Sequence, residues 1–298
     1  MKNVAVQKWN PQTEYVNKSL QIQEPNEKEE VPNNVVKKEK TDTPESTYKE
    51  LTADDFPHAF VCTVVGSRRT GKTCVVESLL NSMTKRFDTV FLFSPTLAGF
   101  EGIPNNYKFQ TLDILPQLLQ KQQEVTTHNI KANKKDHIES RVALVLDDML
   151  ATNELKNKLL TKIALNGRHL NSKDPVETNE LCTFILSQSA TGIPKNIRRN
   201  SDIILSSRIP SKTDRKTIIE ENLVLDSSRG GMSAAYNLYD SISLERDYAF
   251  LALLNYVSNK SSYEKYVRGY CATIPKSPVK LFGDTADWKV PRKTFNFT

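Results

Sequence analysis

VVGSRRTGKTCVV, residues 64–76, places two glycines, a lysine and a threonine at fixed offsets between two apolar runs. Its central part, Gly66–Thr73, matches the phosphate-binding pattern G-x-x-x-x-G-K-[ST]. A strand-like apolar run precedes the match and a helix-like run follows it, as the mechanism requires. The glycines let the backbone curl so that N–H groups face phosphate oxygens, and the positive end of the helix dipole adds to the attraction. The stretch therefore predicts a nucleotide-binding P-loop.

Two side chains of this loop have specific predicted roles. Lys72 is expected to reach the β- and γ-phosphates, and Thr73 to give its hydroxyl to Mg²⁺. Arg68 and Arg69 could contact phosphate, a neighbouring subunit or only solvent, and the sequence leaves these alternatives open. The predicted phosphate-binding set is Gly66, Ser67, Arg68, Arg69, Thr70, Gly71, Lys72, Thr73 and Cys74.

A pair of aspartates follows a second apolar run. Val142–Leu146 ends in Asp147 and Asp148, as expected for a strand that delivers carboxylates to the edge of the same sheet. We predict that Asp147 binds Mg²⁺ and that Asp148 polarises the attacking water. The alternative is an acidic pair that only caps the following helix, and the upstream P-loop argues against it.

The nucleotide predicted by these motifs is ATP rather than GTP. NKKD, residues 133–136, imitates the guanine-recognition element N-K-x-D but does not follow a late apolar strand. The D-x-x-G motif of GTPases is also missing, because DDML stands at residues 147–150.

Short β-branched apolar runs alternate with helix-like spans, a pattern typical of buried parallel strands in an α/β domain. A further apolar run at 248–257 could add a strand, and residues 269–298 are typical of an irregular tail. Residues 126–140 lack apolar periodicity and predict an exposed loop. The predicted strands are 60–65, 89–94, 142–147, 182–187 and 202–207, and the predicted helices are 72–86, 111–124, 152–166 and 212–222.

Composition divides the chain into three parts. Residues 1–54 are rich in Glu, Lys, Pro and Asn and predict a disordered polar tail, residues 55–225 predict the nucleotide-binding core, and residues 226–298 predict a C-terminal extension.

The net charge of +6 favours a polyanionic partner. The cysteines form no CxxC pair, so neither a zinc site nor a disulfide framework is predicted. No apolar run suits a membrane span or a secretion signal, which predicts a soluble intracellular protein.

A third region carries a resemblance to a known family. GRHLN stands at residues 167–171, and a strand-like run ends in ILSQS, residues 185–189. Together with GSRRTGKT and LVLDDM, these blocks resemble the FtsK/HerA group of DNA-translocating ATPases. They are most similar to its viral branch, the poxvirus-type genome-packaging ATPases of large DNA viruses, virophages and related elements. The resemblance covers about residues 60–220.

The resemblance implies a RecA-like P-loop NTPase core with a mainly parallel sheet flanked by helices. In such a core the strand of Gln188 lies between the strands that carry the P-loop and Asp147, and Gln188 senses the γ-phosphate. The implied cofactors are ATP and Mg²⁺. Many ATPases of the wider group carry Glu at the position of Asp148, so the chain departs from the common pattern there.

The same resemblance implies a homo-oligomeric ring around double-stranded DNA, with hydrolysis driving packaging into a capsid. Ring motors need a cation from the neighbouring subunit at the γ-phosphate. Arg168 is the first candidate for this finger, and Arg198 and Arg199 are the next. Basic segments at 131–135 and 195–199 could contact the DNA backbone.

A capsid or terminal-protein partner and a location in the host cytoplasm or virus factory, or on the virion, also follow from the resemblance. Two other functions stay open on the sequence alone. One is a small-molecule P-loop kinase, which would need an arginine-rich lid and a pocket for a hydroxyl substrate. The other is a nucleotide-dependent assembly protein that is not a motor.

Overall fold

A nine-stranded sheet forms the centre of the part of the chain that the structure describes. In this computed structural model that part comprises residues 48–131, 141–149, 158–166, 181–223, 225 and 230–273. All of these residues belong to the unit that spans 46–298. The block at 167–171, which contains Arg168, lies outside the described residues.

The strands of this sheet are almost all parallel. Only β8 runs antiparallel to its neighbours, which are β7 and β9, and every other pair is parallel. The order across the sheet is β1-β9-β8-β7-β2-β6-β5-β3-β4. The strands are β1 (Lys49–Glu50), β2 (Val61–Val65), β3 (Thr89–Phe93), β4 (Lys108–Phe109), β5 (Val142–Asp147), β6 (Leu181–Ser187), β7 (Ile203–Ser206), β8 (Ala249–Leu254) and β9 (Val267–Cys271).

Helices connect and flank the strands, because parallel strands can be joined only by crossover segments. The predicted fold class, a mainly parallel sheet with flanking helices, is confirmed. Within the described ranges no helix combines the length and the apolar character that a membrane crossing needs. The α-helices are α1 (Lys72–Ser82), α2 (Leu115–Lys131), α3 (Lys158–Asn166), α4 (Lys195–Asn200), α5 (Lys212–Asn222) and α6 (Gly231–Ser243).

The order of three central strands positions the site. β6 lies between β2 and β5, which confirms the arrangement that the family resemblance implied. Val65 is in register with Ser187, and Asp147 is in register with Leu186. The chain therefore leaves the sheet at neighbouring points after these strands, and the P-loop, Gln188 and the aspartate pair follow at one edge.

The central strands are buried on both faces, which explains why their sequences are continuously apolar rather than alternating. Aromatic side chains pack within this core. The ring of Phe184 on β6 meets that of Phe60 edge to face, with centroids 5.2 Å apart at 82°. Both rings are at most 2% exposed.

One predicted loop is partly helical. Residues 126–140 were expected to be exposed loop, but α2 continues through them to Lys131. The prediction is wrong for residues 126–131, and residues 132–140 lie outside the described part. The earlier turns of α2 are buried through Leu118 and Val125. Once a helix has formed, adding further residues costs little free energy, so α2 continues into polar sequence.

Both ends of the folded region extend further than composition indicates. β1 lies inside the predicted tail 1–54 and pairs with β9, whose residues 269–271 lie inside the predicted irregular tail. Leu51, also in the predicted tail, is 2% exposed. Such short strands are held by backbone pairing with distant residues, which local composition does not reveal. The strand predicted at 248–257 is confirmed as β8.

We expect Phe184→Ala to lower the free energy of unfolding by about 3–5 kcal/mol, because it leaves a cavity in the centre of the sheet. Urea unfolding followed by circular dichroism measures this change. The control is Leu165→Ala, whose side chain is 51% exposed and whose loss should cost less than about 0.5 kcal/mol. Equal midpoints for the two variants would contradict the packing described above.

Candidate nucleotide-binding site

The loop between β2 and α1 contains two residues with left-handed backbone conformations. Arg69 and Gly71 both adopt left-handed backbone conformations, with φ of 62° and 88°. A Cβ atom added to Gly66 would lie 2.1 Å from Oγ of Ser207 and 2.5 Å from Oγ1 of Thr70, so a larger residue there would displace these side chains. One added to Gly71 would lie 2.3 Å from Cδ1 of Tyr248. Gly71 also needs its left-handed backbone, which glycine adopts without strain.

Lys72 is the first residue of α1 and turns back over the loop. Its Nζ donates hydrogen bonds to the carbonyl oxygens of Gly66 at 2.8 Å and Ser67 at 2.9 Å. Burial lowers the pKa of Lys72, while the negative charges of Asp147 and Asp148 act in the opposite direction. The ammonium group thus lies within electrostatic reach of both carboxylates.

The two aspartates stand at the carboxyl end of β5. Burial, and then the neighbouring Asp148, raise the pKa of Asp147 to about 6, although Lys72 opposes this shift. Asp148 adopts a left-handed conformation with φ of 54°. Two adjacent carboxylates in a half-buried position repel each other, and a bound divalent cation relieves that repulsion. The oxygens of Asp147 and the Thr73 hydroxyl are of the ligand type that Mg²⁺ prefers.

Gln188 links the aspartate pair to the P-loop. Its Nε2 donates to Oδ2 of Asp148 at 2.6 Å, and its Oε1 accepts from Nε of Arg68 at 3.1 Å. This orientation of the amide is the one that satisfies both partners, because a carboxylate only accepts and a guanidinium only donates. Arg68, Gln188 and Asp148 therefore form one continuous chain of hydrogen bonds across the site.

The segment after Gln188 is fixed by an aspartate that the sequence did not single out as functional. Oδ1 of Asp214, on α5, accepts from the backbone N–H of Thr191 at 2.7 Å and from the hydroxyls of Ser189 and Thr191, both at 2.9 Å. Burial would raise the pKa of Asp214, but these bonds and one involving Ser211 lower it overall. The available signal was the S-x-x-D capping pattern that starts at Ser211.

Of the candidate finger arginines, Arg198 is engaged inside its own subunit. Its guanidinium pairs with Glu221 at 2.9 Å and donates to the carbonyl oxygen of Ala190 at 3.0 Å, and the residue is 7% exposed. These contacts favour a structural role. Arg199 on the same helix is exposed, and Arg168 lies outside the described residues.

The other residues of the predicted phosphate-binding set lie in the same loop and the first turn of α1. The Thr70 hydroxyl donates to the carbonyl oxygen of Ser67 at 2.9 Å. Thr73 and Cys74 are half-buried, and burial raises the pKa of the Cys74 thiol. Arg69 is exposed.

Comparison with protein families adds independent information to this geometry. The sequence model of the poxvirus A32 protein family matches residues 45–242, about two thirds of the chain. The chain belongs to the poxvirus A32 protein family. These proteins are packaging ATPases, so the chain is an ATPase of this viral family. Among curated proteins, no sequence matches it.

Solved structures with a similar arrangement share little sequence with this A32 family member. The genome packaging NTPase B204 from Sulfolobus turreted icosahedral virus 2, in complex with sulfate, gives a TM-score of 0.49 at 11% identity, covering 73% of this chain and 98% of that chain. The pCW3 conjugation coupling protein TcpA with ATPgS has a TM-score of 0.48 at 11% identity, and the match covers 75% of this chain and 64% of that chain. The cytoplasmic domain of the Thermomonospora curvata secretion ATPase EccC has a TM-score of 0.46 at 12% identity, and the match covers 77% of this chain and 27% of that chain.

We expect Asp147→Asn to raise the free energy of unfolding of the magnesium-free protein at pH 7 by about 1–3 kcal/mol. The folded pKa of about 6 exceeds the ordinary value of 3.8. The contribution of the Asp147 carboxyl group to the free energy of unfolding should therefore be greatest below about pH 4. It should fall as the pH rises through 6. Urea unfolding across pH 4–8 measures the effect.

The exposed Asp54→Asn variant is the control for this measurement, and its unfolding curve should follow the wild type at every pH. Magnesium needs the ionised carboxylate, so Mg²⁺ affinity of the wild type should fall below about pH 6. A variant no more stable than wild type at pH 7 would contradict the burial of a charged Asp147.

Proposed function

We propose that the chain is a motor that packages double-stranded DNA into a capsid, driven by ATP hydrolysis at the site described above. The observation that carries the proposal is the convergence of four groups at one sheet edge. Lys72 and the Asp147–Asp148 pair interact electrostatically, and Gln188 bonds directly to Asp148. This combination supplies a phosphate cradle, a metal-binding carboxylate, a base and a sensor in one place.

Each residue then has a defined task in hydrolysis. The backbone of the P-loop and Lys72 bind the β- and γ-phosphates, and Thr73 and Asp147 hold Mg²⁺. Bound Mg²⁺ neutralises charge that develops on the phosphates. Asp148 accepts a proton from the attacking water, and its carboxylate is oriented by the amide of Gln188 at 2.6 Å.

Arg68 couples the sensor to the nucleotide. Its Nε donates to Gln188, and it stands within the loop that surrounds the phosphates. A γ-phosphate offers Arg68 a stronger charged acceptor than an amide oxygen. Binding and loss of the γ-phosphate would therefore change the bond to Gln188, and with it the orientation of Asp148.

Packaging requires further partners that belong to the same proposal. We infer a homo-oligomeric ring around the DNA, in which Arg168 or Arg199 of one subunit reaches the γ-phosphate of the next. Exposed basic residues on α4, including Lys195 and Arg199, would contact DNA phosphates without reading sequence. A capsid or terminal-protein partner and action in the host cytoplasm or virus factory, or on the virion, complete the proposal.

We expect double-stranded DNA to stimulate ATP hydrolysis, and Lys72→Ala to reduce turnover by about 100-fold or more because it removes the cation on the phosphates. The measurement is phosphate release as a function of DNA length, at a constant total concentration of DNA phosphate. A translocase should respond to length. Lys85→Ala, an exposed lysine beyond the end of α1, is the matched control and should keep wild-type turnover.

Other outcomes of the same assay identify the competing functions. Equal turnover with and without DNA would argue against translocation. Phosphate transfer to a small metabolite would indicate a kinase, and ATP binding without phosphate release would indicate an assembly protein. Normal turnover in Lys72→Ala, with an unchanged circular dichroism spectrum, would contradict the assignment of the nucleotide-binding site.

A second variant tests the sensor. Gln188→Glu keeps the size of the side chain but replaces the N–H donor to Asp148 with a second carboxylate. We expect kcat to fall about 10- to 100-fold with little change in the KM for ATP, because the loss affects the base and not nucleotide binding. Gln117→Glu on the exposed side of α2 is the control. A kcat equal to that of the control would contradict the role of Gln188.

A further inference from the structure

The proposed sensor Gln188 stands at the start of a turn that connects β6 to α4. Ser187, the last residue of β6, is fully buried. Its hydroxyl donates to the carbonyl oxygen of Ser189 at 2.8 Å and accepts from the N–H of Ser189 at 3.1 Å. These bonds span Gln188, so the position of its amide depends on how the residues after it are held.

The carboxylate of Asp214 receives three hydrogen bonds from this turn, and all three end on one oxygen. Oδ1 accepts from the N–H of Thr191 at 2.7 Å and from the hydroxyls of Ser189 and Thr191, both at 2.9 Å. Because a carboxylate only accepts, each hydroxyl directs its single proton to Asp214. The Ser189 oxygen then accepts from the N–H of Gly192 at 3.2 Å. The turn is thereby closed around one carboxylate oxygen.

The cap at the start of α5 does not account for this carboxylate. Ser211 caps the helix by accepting from the backbone N–H of Asp214 at 3.3 Å, a bond that does not need an acidic side chain. Asp214 is 8% exposed and forms no salt bridge with any described residue. Hydrogen bonds to an ionised acceptor are roughly twice as strong as neutral ones. The charge at this position therefore serves mainly to hold the turn after Gln188.

A second contact joins the same turn to α5, two helical turns further along. Arg198 donates to the carbonyl oxygen of Ala190 at 3.0 Å and pairs with Glu221 at 2.9 Å. Glu221 lies seven residues after Asp214, so both acidic residues project from the same side of α5. The helix thus supports the turn at two points, and the support at Asp214 is the one next to Gln188.

These contacts continue to the group that we propose as the base for the attacking water. Asp214 holds Ser189, which directly follows Gln188, and Nε2 of Gln188 donates to Oδ2 of Asp148 at 2.6 Å. Catalytic groups work only within about 0.5 Å of their productive position. A shift of the turn would therefore disturb Asp148 while leaving the phosphate-binding loop in place.

We propose that Asp214 is a positioning residue for ATP hydrolysis, an inference that rests on the function proposed for this site. Asp214 acts through Gln188, by holding the turn that follows it so that the amide stays bonded to Asp148. Its loss should slow the chemical step. Nucleotide binding should persist, because the P-loop and Lys72 keep their contacts.

Phosphate release by the full chain tests this role, with kcat and the KM for ATP determined separately. We expect Asp214→Ala to lower kcat about 10-fold or more and to change KM less than about 3-fold. Asp214→Asn keeps an acceptor oxygen for the turn and should keep kcat within about 3-fold of the wild type.

The control for lost stability is Asn222→Ala at the other end of α5. This buried side chain donates to the carbonyl oxygen of Ile218 and accepts from Asn255. Its removal destabilises the same helix without affecting the turn, so kcat should equal that of the wild type.

A double variant shows whether Asp214 acts through Gln188. In Gln188→Ala the sensor amide is absent, so adding Asp214→Ala should lower kcat no further. Ser189→Ala removes one donor from the opposite side of the contact and leaves α5 unchanged. It should lower kcat about 3-fold or more, again only when Gln188 is present, and it provides the test if Asp214→Ala does not fold.

The outcomes separate this inference from the proposed function. A kcat of Asp214→Ala and Ser189→Ala equal to that of Asn222→Ala would overturn the positioning role, and so would fully additive losses in the double variant. In either case, turnover by the wild type that is lost in Lys72→Ala would leave the nucleotide site standing. No turnover by the wild type would overturn hydrolysis at this site and the role of Asp214 with it.

Discussion

The site depends on one constraint, that neighbouring parallel strands end at the same edge of a sheet. Backbone bonds hold the ends in place beyond the strands themselves. The N–H of Gly66 donates to Ser187 at 3.1 Å, that of Asp148 to Leu186 at 3.3 Å, and that of Ser207 to Val65 at 3.0 Å. The segments that follow four strands, β2, β5, β6 and β7, are thereby fixed next to one another before any side chain contributes.

Function at this edge works against stability. Three of the five non-glycine residues with positive φ in the described chain, Arg69, Asp148 and Tyr248, lie at this edge of the sheet. Asp147 adds a charge that burial disfavours. The apolar strands beneath offset these costs, because their buried side chains belong to one apolar cluster whose members range from Leu51 to Ala272. The rigidity of that core is what allows a strained loop to keep one shape.

The sequence predicts those parts of the fold and of the candidate site that a short segment encodes. The P-loop pattern and the aspartates after β5 are local, and the continuous apolar runs predict buried strands, which the structure confirms. The sequence does not predict roles that arise from distant contacts. Asp214 acts on a segment more than twenty residues earlier in the chain, and the ion pair of Arg198 depends on Glu221. β1 is defined by its pairing with β9, more than two hundred residues later. The S-x-x-D pattern at Ser211 marks Asp214 as a capping residue, but no local pattern gives its contact with Thr191 or the partners of Arg198 and β1.

The antiparallel direction of β8 explains why the C-terminal region contacts the P-loop. Because β8 runs antiparallel to β7, its amino end lies at the edge where the other strands have their carboxyl ends. The residues that precede it, among them Tyr248, are therefore brought to the P-loop instead of the opposite edge. A parallel β8 would have placed the same residues about the length of a strand away. One change of direction thus brings the segment before β8 into contact with the P-loop, where Tyr248 lies against Gly71.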